Sequence, residues 1–226
     1  MRVLIVGATG MVGQGVLREC LSAPDVGEVI VLGRSKIETA SPKLRQLVQN
    51  DLFDLTRVEP ELRGIDACFF CLGVSSSGMS GADYSHLTYD LTLAVAIVLA
   101  RLNPTMTFIY VSGAGTDSTE RGRSMWARVK GRTENALQAL PFAGVYLFRP
   151  AVIQPLHGIE SKTPSYRRLY KLTRPLLPMM RRLFPNHVVT TQEVGQAMLN
   201  AARRGGGRLV LESRDIERLA QEGKTA

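Results

Sequence analysis

Apolar stretches of strand length alternate along this chain with segments in which apolar residues recur every three or four positions. Strands buried on both faces read as continuous apolar runs, and parallel neighbours must be joined by crossover helices, so the alternation points to a parallel sheet covered on both sides. The runs predict strands at Arg2 to Val6, Glu28 to Leu32, Leu47 to Asn50, Asp66 to Leu72, Thr107 to Ser112, Gly144 to Phe148 and Arg208 to Leu211. Helical spacing predicts helices over Met11 to Ser22, Leu55 to Leu62, Ala82 to Leu102, Arg123 to Ala139, Thr191 to Arg203 and Asp215 to Gln221. The expected fold is α/β, a doubly wound parallel sheet in a single domain 1–226, with a core over 1–148 and a small C-terminal substrate lobe over 149–226.

Composition narrows the class. A chain of 226 residues with 45% hydrophobic and 21% charged positions is ordinary for a globular protein and argues against disorder. The longest apolar run, Leu91 to Ala100, falls short of the roughly 20 residues needed to span a bilayer and reads as a buried helix. No small-residue cleavage site follows the apolar N-terminus, so the expected location is cytoplasmic. Cys20, Cys68 and Cys71 are too few for a disulfide framework, and a CxxC pair placed on a strand sends its two side chains to opposite faces. His86, His157 and His187 show no metal-ligand spacing, and no metal is expected.

The net charge of +8 is concentrated in 161–184, which carries Lys162, Arg167, Arg168, Lys171, Arg174, Arg181 and Arg182 and no acidic residue. Interleaved apolar residues make it a lid over the substrate cleft with a solvated basic face, broken into two short helices at Pro175 and Pro178. Its other reading is weak contact with an anionic membrane, which would make the protein peripheral to that membrane, or with an acidic protein. Nucleic acid is not expected, because no recognition motif accompanies the charge.

The chemistry begins at Val3-Leu4-Ile5-Val6-Gly7-Ala8-Thr9-Gly10-Met11-Val12-Gly13, a buried strand running through a glycine turn into a helix. Glycines permit a tight turn and close backbone approach to a pyrophosphate, which the helix N-terminus attracts through its free N–H groups. The spacing is GxxGxxG, and with a strand before it and a helix after it the expectation is a Rossmann-like dinucleotide site on Gly7, Thr9, Gly10, Met11 and Val12. After the second strand, where a carboxylate would bond the ribose 2′-hydroxyl of NAD, the chain reads Gly33-Arg34-Ser35-Lys36. Arg34 and Ser35 there favour the 2′-phosphate of NADP(H), with NAD(H) as the other possibility.

With these residues, and with Asp51-Leu52, Cys71-Leu72-Gly73, Trp126-Ala127-Arg128-Val129-Lys130-Gly131 and Arg149-Pro150, the chain resembles the short-chain dehydrogenase/reductase superfamily over nearly its whole length. It is similar to atypical members near the extended epimerase-like and NmrA-like branches and to the reductase-like Tat-interacting proteins. The resemblance implies that Asp51 and Leu52 flank the adenine, that Leu72, Gly73 and Val74 touch the adenine ribose and phosphates, and that Pro150 to Val152 border the nicotinamide.

Catalysis in that superfamily uses a Tyr-x-x-x-Lys pair, in which the tyrosine exchanges a proton with the substrate oxygen and the cation lowers its pKa. Here the pair reads Trp126-x-x-x-Lys130, and an indole has no proton to exchange near neutrality. Lys130 is expected to keep a bond to the nicotinamide ribose, with an exposed helix lysine as the plainer reading. Ser112 is the candidate for the substrate-orienting serine, although one alignment of its strand puts Gly113 there. Tyr84, Tyr89 and Tyr110 are candidates to replace the missing phenol, with packing as the plainer role of each. The expected function is NADP(H) binding with hydride transfer to a small carbonyl or quinone-type acceptor, Ser112 and Lys130 being the catalytic candidates. A cofactor-sensing interaction protein is the alternative, and a nucleotide-sugar epimerase is disfavoured by the short chain and the missing tyrosine.

Overall fold

Along the first strand the side chains divide between two destinations, Val3 and Ile5 entering one apolar cluster while Leu4 and Val6 enter another. The same division holds for Val29 and Val31 against Ile30 and Leu32, and for Phe69 against Cys68 and Phe70. Period-two alternation with both faces apolar is what a central parallel strand requires, and it builds a core on each side of one sheet.

The computed structural model describes residues 1–159 and 187–222. Its strands are β1 (Arg2–Val6), β2 (Glu28–Gly33), β3 (Leu44–Val48), β4 (Ala67–Phe70), β5 (Thr107–Val111), β6 (Gly144–Arg149), β7 (Val152–Gln154), β8 (Val188–Thr190) and β9 (Gly207–Glu212). Seven of them form a parallel sheet in the order β3-β2-β1-β4-β5-β6-β9. The other two, β7 and β8, pair with each other, also in parallel. Strand order reverses between β1 and β4, so the crevice beyond their carboxyl ends is where a doubly wound sheet binds its ligand.

The helices are α1 (Met11–Ser22), α2 (Gly81–Ser85), α3 (Leu91–Leu102), α4 (Met125–Ala139), α5 (Thr191–Arg204) and α6 (Ser213–Gln221). On one face α1, α5 and α6 pack through Val16, Leu17, Val194, Met198, Ile216 and Leu219. On the other, α3 and α4 contribute Leu91, Val95, Leu99 and Leu137. A π turn at His86–Asp90 joins α2 to α3 in one continuous helix, Gly81–Leu102, which is long and apolar enough to cross a membrane by length and composition. Here Tyr84, Leu91, Val95 and Leu99 along it are buried in the fold, as expected of a helix covering a sheet.

Three expectations need correction. The third strand is Leu44–Val48, earlier than Leu47 to Asn50, because this edge strand is polar at Arg45 and Gln46 and its apolar pattern is correspondingly weak. The helix expected over Leu55 to Leu62 is a single 3₁₀ turn, Glu59–Leu62, where Pro60 lacks the N–H that a longer helix would use. The pair β7 and β8 is absent from the expected elements, since three residues are too few to show a period. The CxxC expectation matches the packing, because Cys68 lies in the cluster under α3 while Cys71 packs against the cluster under α1. The basic stretch 161–184 and its proposed break at Pro175 and Pro178 lie outside the described residues.

Candidate functional site

At the end of β1 the chain turns sharply, and Gly7 adopts φ +88°, a left-handed conformation open to glycine. A side chain there would begin 2.6 Å from the backbone nitrogen of Leu72, and one at Gly13 would begin 2.2 Å from the carbonyl oxygen of Gly7. These two glycines are therefore needed by the protein itself, to seat the turn against the chain leaving β4 and the helix against the turn. Gly10 differs. Its backbone is ordinary, and an added Cβ would meet only the Gly7 carbonyl, at 3.4 Å. Internal packing gives little reason for a glycine at that point, and a ligand backbone lying close over it does. Gly10 also caps α1 without any side-chain bond to the first-turn N–H groups, leaving the positive end of the helix facing the cleft.

A cleft of about 430 Å³ opens over this turn. Of the expected site residues it brings together Gly7, Thr9, Gly10, Met11, Val12, Arg34, Leu72, Gly73, Val74, Ser112, Lys130 and Pro150. Cys71, Ser75, Val111 and Ile153 line it too. Four expected residues fall outside the lining. Ser35 stands exposed on the loop beyond Arg34. Asp51 turns its carboxylate back to accept the Phe53 N–H at 2.8 Å, and Leu52 is buried in the apolar core. On β7 it is Ile153, and not Val152, that faces the cleft.

At the far end, α4 places Trp126, Lys130 and Glu134 one turn apart on one face. The Lys130 ammonium donates to the Ser112 carbonyl oxygen and lies 6.0 Å from the centre of the Trp126 ring. Burial pushes its pKa down to about 8, against an upward pull from Glu134. Trp126 stands beside the cleft, with its ring edge next to Gly115.

Glu134 escaped the sequence reading and organises this end. It accepts from the Ser112 hydroxyl and from both the Nε and Nη2 of Arg149, an ion pair whose side chains are only 1% and 13% exposed. Arg149 also reaches the Ser118 hydroxyl. The pair ties α4 to the end of β6. It also changes the reading of Ser112, which lines the cleft but is only 5% exposed, its hydroxyl bonding inward to the Glu134 carboxylate and the Phe148 carbonyl oxygen. Ser112 thus acts as a strut in this structure. The signal that could have found Glu134 was a lone carboxylate at helical spacing from Lys130 on an otherwise inward face. Tyr84 and Tyr110 are buried, with the Tyr110 phenol pushed far up by burial, and Tyr89 stacks under the Arg132 guanidinium at 4.0 Å, so all three serve packing.

Comparison with known proteins agrees with this geometry. The model of an NAD(P)H-binding family matches residues 7–143. Among curated relatives, the mitochondrial protein FMP52 of Eremothecium gossypii is 27% identical over 68% of this chain and 66% of its own length. Protein HTATIP2 of Rattus norvegicus is 27% identical over 67% of this chain and 62% of its own, so the match spans slightly less than two thirds of either relative. Among solved structures, the UDP-glucose 4-epimerase of Thermotoga maritima superposes with a TM-score of 0.71 at 15% identity, covering 98% of this chain and 82% of that one. The protein MoeE5, solved with UDP-glucose and NAD, gives 0.67 at 17% identity over 98% and 81%. At such identities the likeness establishes a shared fold.

Proposed function

The chain belongs to the NAD(P)H-binding family, and from that premise we propose that it holds NADP(H) across the switch point and passes hydride to a small carbonyl or quinone-type acceptor. The observation that carries the reading is Gly10, a glycine that its own fold hardly requires, set at an uncapped helix N-terminus in the cleft that also holds Lys130. The residues present fit a dinucleotide. The turn and the first N–H groups of α1 would hold the pyrophosphate, Arg34 the 2′-phosphate, and Lys130 the nicotinamide ribose. The bound cofactor would supply the hydride, while the protein orients it and excludes competing reactions.

Arg34 carries the choice between the two cofactors, being the cationic residue at the adenine end of the described lining. Arg34→Glu is expected to reduce or reverse a preference for NADPH over NADH of about tenfold to a hundredfold, the value of one charged contact to phosphate. Equal affinities of the wild-type protein for the two would remove the assignment. A quinone-type acceptor suits the site because its reduction depends least on a tyrosine acid. Turnover with a panel of quinones and small aldehydes and ketones is expected from the purified protein with NADPH, with quinones fastest. NADPH binding without oxidation by any member of the panel would instead favour a second reading, a cofactor-sensing protein whose affinity for a partner changes on binding. The indole at position 126 and the inward-turned Ser112 are what support that alternative. A reducing compartment such as the cytoplasm belongs to the proposal, since Cys20, Cys68 and Cys71 are all free thiols.

A further inference from the structure

We propose that Lys130 is itself the catalytic acid, giving a proton to the substrate oxygen in place of the phenol that position 126 lacks. The inference rests on the reductase reading above. Its geometric basis is the space around the ammonium. Nζ bonds the Ser112 carbonyl, which engages one of its three protons. Directly beside it is Gly113, at φ +148°, where a side chain would begin 3.7 Å from Nζ and meet little else but the Pro150 carbonyl oxygen at 3.9 Å. Ser112, Lys130 and Pro150 all line the cleft, so a carbonyl group entering there would come within reach of the ammonium.

Elimination points the same way. Among the described residues lining the cleft, the other groups with an exchangeable proton are Thr9, Arg34, Cys71, Ser75 and Ser112. A guanidinium is not a proton donor to a carbonyl, and burial pushes the Cys71 thiol up to about 12. The Ser112 hydroxyl points to Glu134, and the alcohols of Thr9 and Ser75 are far weaker acids than an ammonium. Of the charged groups around Lys130, Glu134 faces it from its own helix and Arg149 comes from β6, neutralising Glu134. Burial outweighs Glu134 and leaves the ammonium with a pKa of about 8, matched to an acid working near neutral pH.

The step balances. Hydride from the reduced cofactor adds to the carbonyl carbon, the π pair of the C=O bond moves to oxygen, and an N–H bond of Lys130 breaks as the O–H bond forms. Lysine is left as the neutral amine, the cofactor is oxidised, and the amine regains its proton from water.

Two measurements on the full chain test this. Competitive acetylation across pH, read residue by residue by mass spectrometry, titrates Nζ without any turnover, with a free lysine ε-amine as the reference. Half-reaction of Lys130 near pH 8 is expected. Lys130→Arg keeps the positive charge but holds its proton too tightly to donate, so at saturating NADPH kcat for an aldehyde should fall about a hundredfold or more. In the wild type kcat should decline as pH rises past about 8, and in Lys130→Arg the residual rate should be flat there. A Lys130 that titrates like a free lysine ε-amine, or an arginine variant that reduces aldehydes as fast as the wild type, overturns the proposal and leaves the reductase reading standing. A wild-type protein that binds NADPH but reduces no quinone, aldehyde or ketone overturns both.

Discussion

Glu134→Ala is expected to destabilise the protein by about 3 kcal/mol, because it leaves the Arg149 guanidinium with only the half-exposed Glu212 carboxylate, 3.8 Å away. The loss is large for three reasons that lie together. Glu134 is fully buried, it satisfies two nitrogens of Arg149, and it accepts the inward-turned Ser112 hydroxyl, so one truncation orphans donors on two strands. For a chain of this length, thermal unfolding should move down by roughly 2–4 °C per kcal/mol. Replacing both partners with apolar residues, as in Glu134→Leu with Arg149→Met, should recover much of the loss, since no buried charge is then left alone. The cleft should register the change as well. Glu134 pulls the Lys130 pKa upward, so its removal should take that pKa below about 8. A melting temperature for Glu134→Ala within a degree or two of the wild type would show that the pair does not hold α4 to the sheet.

The second large effect separates two glycines three residues apart. Gly13→Ala puts a Cβ 2.2 Å from the Gly7 carbonyl oxygen and 2.7 Å from the Ala8 Cα, backbone contacts that no rotamer change can relieve. Helix α1 must shift, and overpacking of this kind typically costs about 1–3 kcal/mol. Gly10→Ala meets nothing closer than 3.4 Å at an ordinary backbone angle, so stability should change by less than about 1 kcal/mol. NADPH should nevertheless bind the Gly10→Ala protein at least about tenfold more weakly, because the methyl group occupies the approach of the pyrophosphate to the turn. Isothermal titration alongside thermal melts distinguishes the two. A Gly10→Ala protein that binds NADPH as well as the wild type would mean that no pyrophosphate lies over the turn.

The sheet was legible in the sequence wherever a strand is central, because burial on both faces leaves a continuous apolar run such as Val3 to Val6 or Cys68 to Phe70. It was less legible at the edge, where β3 has one partner and tolerates Arg45 and Gln46. The glycine turn and Lys130 were legible because their chemistry fixes both residue type and spacing. Glu134 was not, since a carboxylate four positions after a lysine on a helix ordinarily signals a solvated pair, and only the arrival of Arg149 from β6 turns it into a buried one. The inward bond of Ser112 was illegible for the same reason: sequence locates a hydroxyl, whereas what it bonds depends on a partner 22 residues away. Val152 and Ile153 show the limit of assigning a site by neighbourhood, because on a three-residue strand one step changes the face.

A dinucleotide held across the carboxyl ends of β1, β4 and β5 would shield the backbone in each of their loops. Amide hydrogen exchange of the full chain with and without saturating NADPH tests it most directly. Slowed exchange is predicted in three separate stretches, the turn and start of α1 over 9–14, the loop over 72–75 after β4, and the segment 112–115 beside Lys130. The edge strand β3 should be unchanged. Exchange that is identical with and without NADPH in all three stretches, or protection confined to surfaces away from the turn, would contradict the account.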